Sequence, residues 1–167
     1  MKTTQWIQTA IATGDLCERY TDAVANAHSK LALMRLALSG GAAGYLCEMQ
    51  SKNMGLDSSI IVEEFAAYIN GKYIGEYGSG KSRYSSCMYC QWKDLENSLL
   101  LVSTLTTFID CKASIVLPEN SFMSVYCDSE SHLQIYCSPT AHCDVHYWQG
   151  ATVNVSGTVN NIRLIAH

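Results

Sequence analysis

Aliphatic residues recur at a spacing of ten through the last third of the chain. They are Leu105, Ile115, Val125, Ile135, Val145, Val155 and Ile165. Other apolar residues lie two positions before and two positions after most of them, and polar residues lie between. Three apolar positions at a spacing of two indicate a short strand with one buried face. Polar connectors such as 118–121 and 128–131 predict turns between strands of about five residues.

A unit copied at a fixed period buries its apolar face only against its neighbours. Two folds fit a ten-residue unit of strand and turn. In a β-solenoid, two units form one coil of about twenty residues, whereas in a jelly roll or meander successive strands pair as hairpins. The long register without irregular insertions favours the solenoid, because hairpin sheets usually mix turn lengths.

The first 71 residues show helical spacing of their apolar positions instead. Helices are predicted over 4–13, from Asp15, from Ser29, over 42–53 and from Asp57. Asp15, Ser29 and Asp57 can each cap the helix that follows. The chain is therefore predicted to be α+β, with a helical attachment domain of four to five helices at 1–71. A β-rich repeat domain follows at 72–167.

Charge and composition narrow the function. The chain has 11 Lys and Arg against 15 Asp and Glu, for a net charge of −4, and its basic residues are scattered. This argues against nucleic-acid binding, which needs a basic stripe along the phosphates. Only 16% of residues are charged, which favours surface hidden against other copies. We expect no signal peptide and no membrane insertion, because no apolar run reaches the ~20 residues of a membrane span.

A glycine-rich segment, Gly75–Ser82, matches the phosphate-binding pattern G-x-x-x-x-G-K-[ST]. A nucleotide site needs a buried strand before the loop and a helix after it. The residues after this segment are aromatic, Cys-rich and strand-like, so we predict a hairpin loop here. No catalytic residue is predicted.

Two pairs of residues have the spacing of metal ligands: Cys87 with Cys90, and His142 with His146. The pairs are about fifty residues apart, and on a strand Cys87 and Cys90 point to opposite faces. No metal or cofactor is therefore predicted, although the spacing alone leaves zinc as an open alternative. The eight cysteines are better explained as small buried hydrophobic residues.

An outward aromatic row is the main candidate surface. It consists of Tyr126, Tyr136, His146 and Trp148. Such a row suits cross-strand packing or a subunit contact. The alternative is a platform on which sugars stack, but no acidic or amide residue recurs beside the row to hold sugar hydroxyls.

Several segments resemble small uncharacterised proteins of Bacteroidetes phages and prophages. They are 16–18, Tyr45–Lys52, Glu63–Phe65, Tyr68–Ile74 and Ser86–Cys90, and the likeness continues into the strand repeat. No functional residue is carried over from that group. The resemblance implies a virion setting for a protein made in the host cytoplasm, as a short fibre or decoration component.

These observations predict a non-enzymatic structural protein that self-associates through its β-repeat region. Open ends of a stacked sheet expose backbone N–H and C=O groups, which other chains must cover. A homotrimer is favoured, with the helices attached to a larger phage particle. The alternative function is a module that binds glycans or a host surface through the aromatic face.

Overall fold

The computed structural model describes residues 18–39, 42–54 and 57–167. These residues contain four helices: α1 (Glu18–Ala25), α2 (Lys30–Ala37), α3 (Ala42–Ser51) and α4 (Ser58–Phe65). Ser29 and Asp57 cap α2 and α4 as predicted, since Ser29 Oγ accepts the Ala32 N–H at 3.1 Å and Asp57 Oδ1 accepts the Ser59 N–H at 2.8 Å. The helix predicted over 4–13 and the cap at Asp15 lie outside the described residues.

Ten strands form two sheets in the described residues. Sheet A contains, in spatial order, β1 (Gly75–Ser79), β2 (Ser82–Cys90), β4 (Leu105–Ile109), β6 (Phe122–Cys127), β8 (His142–Tyr147) and β10 (Ile162–Ala166). Sheet B contains β3 (Lys93–Leu100), β5 (Lys112–Leu117), β7 (His132–Cys137) and β9 (Thr152–Gly157).

From β2 onward the chain alternates between the two sheets, and every neighbouring pair of these strands is parallel. A jelly roll or meander would pair successive strands antiparallel. The β region is therefore a β-solenoid of about four coils, and the solenoid prediction is confirmed. Each complete coil contributes one strand to sheet A and the next to sheet B.

The register between coils is 20 residues in the middle of the solenoid and 19 at three strand pairs of sheet A, β2–β4, β4–β6 and β8–β10. Lys112 pairs with His132, but Leu105 pairs with Ser124 and Cys143 pairs with Ile162. A shift of one residue moves a side chain to the other face of a sheet. The ten-residue rule therefore fails at its two ends: Leu105 and Ile165 lie on the outer face of sheet A, whereas 115, 125, 135, 145 and 155 point between the sheets.

The main core lies between the two sheets. Its centre is fully buried, with Ile115, Val125, Ile135 and Val145 all 0% exposed. The flanking apolar positions of the repeat pack against these residues. Because each coil supplies the same rows of small and branched side chains, the core continues from coil to coil without a break.

A second core joins the helices to the outer face of sheet A. Leu38 and Met49 pack there with Met88, Cys90 and Ile109 of β2 and β4. The second half of β2, Ser86–Cys90, and all of β4 are thus buried on both faces, and Cys87–Cys90 is an unbroken apolar run, as burial on both faces predicts. The helices lie along the first coils of the solenoid and share a core with them.

The segment Gly75–Ser82 forms the antiparallel hairpin of β1 and β2. Gly78 has a φ of +105°, and a Cβ there would lie 2.2 Å from the Ser82 carbonyl oxygen, so the tight approach of the two strands needs glycine. The predicted hairpin loop is confirmed. A strand rather than a helix follows it, so the segment lacks the helix N-terminus with which phosphate loops bind phosphate.

Candidate functional site

The C-terminal end of the solenoid, which consists of β9 and β10, exposes apolar side chains. Val153 and Val155 of β9 are only half-buried, although their counterparts Leu133 and Ile135 in the preceding coil are 2% and 0% exposed. Leu164 of β10 points inward in the row of Val145 and is 50% exposed. Within the described part of the chain, no strand pairs with the outer edge of β9 or β10.

The two sheets end unevenly at this point. Sheet A continues to β10, whereas sheet B stops at β9 in the described residues. Strand β10 therefore extends half a coil beyond sheet B, and its inner face has no strand of sheet B across from it. This half-coil step explains why Leu164 is exposed even though it lies in a core row.

The opposite end of the solenoid has different edges. In sheet A the β1 strand covers the edge of β2 as an antiparallel partner. In sheet B the edge strand β3 is interrupted, because its register with β5 shifts between Asp94 and Ser98. The residues of the interruption are held by Asp94, whose carboxylate accepts the Asn97 N–H at 3.1 Å. Lys93 forms an ion pair with Asp110.

The two edge strands of sheet B, β3 and β9, also differ in how well their sequences protect them from pairing. Strand β3 carries Lys93, Asp94 and Glu96, and charged residues and irregularities are the usual means of keeping an edge from pairing. Strand β9, with the sequence TVNVSG, has no charged residue and no proline. In β10 the one charged residue, Arg163, is paired with Asp144 of β8. The C-terminal end lacks the protection that β3 has.

Three residues of the predicted aromatic row come together on sheet A. The rings of Tyr126 and His146 are stacked with centroids 4.4 Å apart, and His167 stacks on Trp148 at 4.5 Å. His146 Nδ1 and His167 Nε2 are 3.0 Å apart and share a hydrogen bond. Burial, followed by the proximity of His167, lowers the pKa of His146.

This cluster supports helix α3. A Cβ added to Gly44 would lie 3.4 Å from Tyr126 and 3.7 Å from Trp148, so the helix backbone rests closely on both rings. Burial raises the pKa of Tyr126. In the described structure these aromatic residues therefore pack a helix onto the sheet, which is one of the roles expected for the row.

Tyr136 lies apart from the other three residues, on the outer face of sheet B, where it is 44% exposed. In a solenoid, consecutive ten-residue units belong to opposite sheets, so two outward residues that are ten apart lie on opposite outer faces. The sequence pattern placed Tyr126 and Tyr136 in one row because it could not distinguish alternate units. Their true neighbours are twenty residues away.

The candidate metal ligands do not converge. Cys87 lies in the core between the sheets and Cys90 in the core under the helices, on opposite faces as predicted. His142 stacks on Phe122, with centroids 4.6 Å apart. Among residues 18–39, 42–54 and 57–167 there is no group of three or more His, Cys, Asp or Glu arranged to hold a metal ion.

The seven cysteines in the described residues are free and buried. Burial raises the pKa of each thiol for which a shift is resolved, including Cys47, Cys111 and Cys127. These side chains are therefore protonated at neutral pH and serve as small apolar packing groups, as predicted.

Asp128, a residue that the sequence pattern did not single out, is a fully buried carboxylate in the turn between β6 and β7. Its oxygens accept the Asp110 N–H at 3.1 and 3.2 Å and the Ser131 hydroxyl at 2.5 Å. Ser131 Oγ in turn accepts the Cys111 N–H at 3.1 Å. Burial raises the pKa of Asp128 to about 6. This network ties the turns of two adjacent coils together.

Comparison of the chain with known protein families, curated proteins and solved structures gives no match. None of the helices in the described ranges has the length and apolar character that crossing a membrane requires.

Proposed function

We propose that this chain is a structural protein whose copies associate through the C-terminal end of the solenoid. The observation that carries the proposal is the edge strand β9, which has neither charge, proline nor bulge, whereas β3 at the other end has charges and an interrupted register. An unprotected edge presents a row of N–H and C=O groups to which another strand can add. The half-buried Val153 and Val155 beside it supply apolar area.

Because β10 extends half a coil beyond sheet B, the partner that fits this end best is a second copy of the same chain. A two-fold axis along the strand direction places the β10 strand of each copy beside the β9 strand of the other. The two protruding strands then face each other, so that Leu164 of each copy covers the exposed inner face of its partner. A surface that is complementary to itself in this way is the usual basis of a twofold dimer.

Edge pairing also sets the number of copies. An edge strand has one open side, so end-to-end pairing is complete with two copies. We therefore propose a dimer for this contact, in place of the trimer favoured by the sequence pattern. The helices lie on the outer face of sheet A, away from the edge of β9, and can attach the dimer to a larger particle. The resemblance to phage-encoded proteins supports a virion as that particle.

The test is the mass of the 167-residue chain in solution, measured by light scattering during size-exclusion chromatography. The expected mass is twice the 18.4 kDa of one chain. The Leu164→Lys variant should be monomeric, because it places a charge on the inner face of β10 at the proposed contact. Leu164 is already 50% exposed in the single chain, so the substitution spares the core.

Leu95→Lys is the matched control. Leu95 is 48% exposed and lies in the interrupted strand β3 at the other end of the solenoid. This variant should remain a dimer. A monomeric parent chain, a parent trimer, or equal dissociation by the two substitutions would overturn the proposal.

A further inference from the structure

A groove of about 510 Å³ lies on the outer face of sheet A, on the part of β6, β8 and β10 that the helices leave uncovered. One wall is an aromatic platform made by Phe122 and His142, whose rings are stacked with an angle of 11° between their planes. Phe122 is 71% exposed, although a large apolar side chain on a strand usually packs against something. Among the described residues, Phe122 is not part of the core that the helices form with sheet A.

The floor and the far wall of the groove are polar. Asp144 and Arg163 lie in neighbouring strands and form a two-point pair, with Arg163 Nε donating to Asp144 Oδ1 at 2.5 Å and Nη2 donating to Oδ2. Asn160 and Asn161, in the turn before β10, add two amide groups at the rim. The groove thus combines one exposed ring face with carboxylate, guanidinium and amide groups.

The charges in the groove point to a neutral ligand. Arg163 and Asp144 compensate each other, and the pair lowers the pKa of Asp144, so both groups are ionised at neutral pH. A carboxylate has about four acceptor sites and a guanidinium five donors, so each keeps hydrogen-bonding capacity beyond the pair. Adjacent donors and acceptors without net charge match the vicinal hydroxyls of a sugar better than a phosphate or carboxylate.

The platform supplies the second feature that a sugar requires. The face of an aromatic ring carries partial negative charge, which attracts the C–H bonds on the apolar face of a pyranose ring. The volume of the groove falls within the roughly 300–1,000 Å³ of small-molecule sites. We propose that this groove binds a neutral saccharide, which stacks on Phe122 and donates and accepts hydrogen bonds at Asp144, Arg163 and the two asparagines.

This groove has the polar groups for sugar hydroxyls that the sequence pattern did not show for the row of Tyr126 and Tyr136. Beside Phe122 and His142 the groove is lined by Asp144, Arg163 and two asparagine amides. The saccharide site therefore lies on a different row from the one that the sequence favoured. It is separate from the proposed dimer contact, which uses the inner face of β10 and the edge of β9.

The test is a glycan array that carries neutral, sialylated and sulfated oligosaccharides, probed with the 167-residue chain and followed by titration of the best neutral glycan. Saturable binding to neutral glycans is expected, with little dependence on salt, because no net charge is recognised. Phe122→Ala should weaken this binding at least about fivefold, the loss that corresponds to one stacking contact. Asp144→Asn should weaken it as well, because the amide replaces one acceptor oxygen by a donor.

Tyr136→Ala is the matched control, since it removes an exposed aromatic ring from the other sheet and should leave binding unchanged. Circular dichroism and the thermal midpoint establish that each variant is folded. The proposal is overturned if no neutral glycan binds saturably, if only charged glycans bind, or if Tyr136→Ala weakens binding as much as Phe122→Ala. Mass measurement of the Leu164→Lys variant tests the dimer separately.

Discussion

The two ends of this solenoid are built from the same coil but finish differently. At the start, helices cover the outer face of β2 and β4, the β1 hairpin pairs with the edge of sheet A, and β3 carries charges and an interruption at the edge of sheet B. At the end, β9 and β10 have none of these features, and core positions such as Val155 and Leu164 are partly exposed.

The difference shows that a repeat does not specify its own termination. Each coil buries its apolar rows against the next coil, so the first and last coils need something else to cover them. At the start the chain supplies that cover itself. At the end the cover must come from outside the described residues, and the proposed dimer is one way to provide it.

The largest expected loss of stability is in the helix-covered half of the solenoid, and it should exceed the loss at the exposed C-terminal end. Phe108 of β4 is 0% exposed and stacks on Tyr89 at 5.3 Å, so Phe108→Ala should cost about 3–5 kcal/mol of unfolding free energy. Val155→Ala should cost only about 1 kcal/mol, because the side chain is half-buried and the change removes little apolar area. Urea unfolding at low protein concentration measures both.

Raising the protein concentration tests whether this contrast depends on the proposed dimer. In a dimer Val155 becomes more buried, so the cost of Val155→Ala should rise with concentration while that of Phe108→Ala stays constant. Equal losses at the two positions, or a concentration dependence at Phe108 alone, would contradict the comparison.

An intermediate loss of stability is expected when the buried carboxylate of Asp128 is removed. Asp128→Ala leaves the Asp110 N–H and the Ser131 hydroxyl without their acceptor, which should cost about 1–3 kcal/mol. Glu130→Ala, which removes an exposed carboxylate from the same turn, should change stability little. Thermal and urea unfolding of the two variants provides the measurement, and equal losses would show that the buried network is not important.

The pH dependence of Asp128 has a definite sign. Burial raises its pKa to about 6 in the folded chain, above the ordinary 3.8 of an aspartate, so the folded state binds more protons between these values. Stability should therefore fall as the pH rises from about 4 to 6. In the Asp128→Asn variant this contribution should disappear.

The smallest expected effect is the pH dependence of stability that His146 contributes, beside His167 at the C-terminal end of the solenoid. Because the pKa of His146 is lowered from 6.5, the unfolded state binds the proton more readily. The contribution of His146 to stability is complete above pH 6.5 and is lost as the pH falls through that value towards the folded pKa. This sign is opposite to that of Asp128, so the Asp128→Asn background isolates it.

His146→Phe in that background keeps a ring for stacking on Tyr126 but removes the titration. The fall in the thermal midpoint between pH 7 and pH 5 should become smaller than in the Asp128→Asn parent. A pH profile that His146→Phe does not alter would contradict the assignment.

The solenoid could be predicted because its middle coils repeat without error. The positions from Ile115 to Val155 keep both the period and the phase, and the polar turns between them are regular. Strand β3 was missed, because Lys93–Ser98 is polar and has no alternation, and its pairing with β5 is held by only part of its length. The one-residue changes of register at β4 and β10 also leave no local signature.

The placement of the helices and of the groove depends on contacts between distant residues. The run Cys87–Cys90 did carry a signal, since four consecutive apolar residues on a strand imply burial on both faces. The Phe122 groove had a weaker one. Phe122 and His142 are twenty residues apart, which makes them neighbours only once each coil is known to contain two units.

The uniform offset of twenty residues along β5, β7 and β9 makes the length of this protein adjustable. Adjacent strands in a sheet are about 4.8 Å apart, so duplication or loss of one coil between these strands changes the rod by that distance. The core that the helices share with β2 and β4 lies before these strands and is kept, although the contacts of α3 with Tyr126 and Trp148 would have to be rebuilt. Evolution or an engineer can therefore set the distance between the two ends of the solenoid in fixed increments.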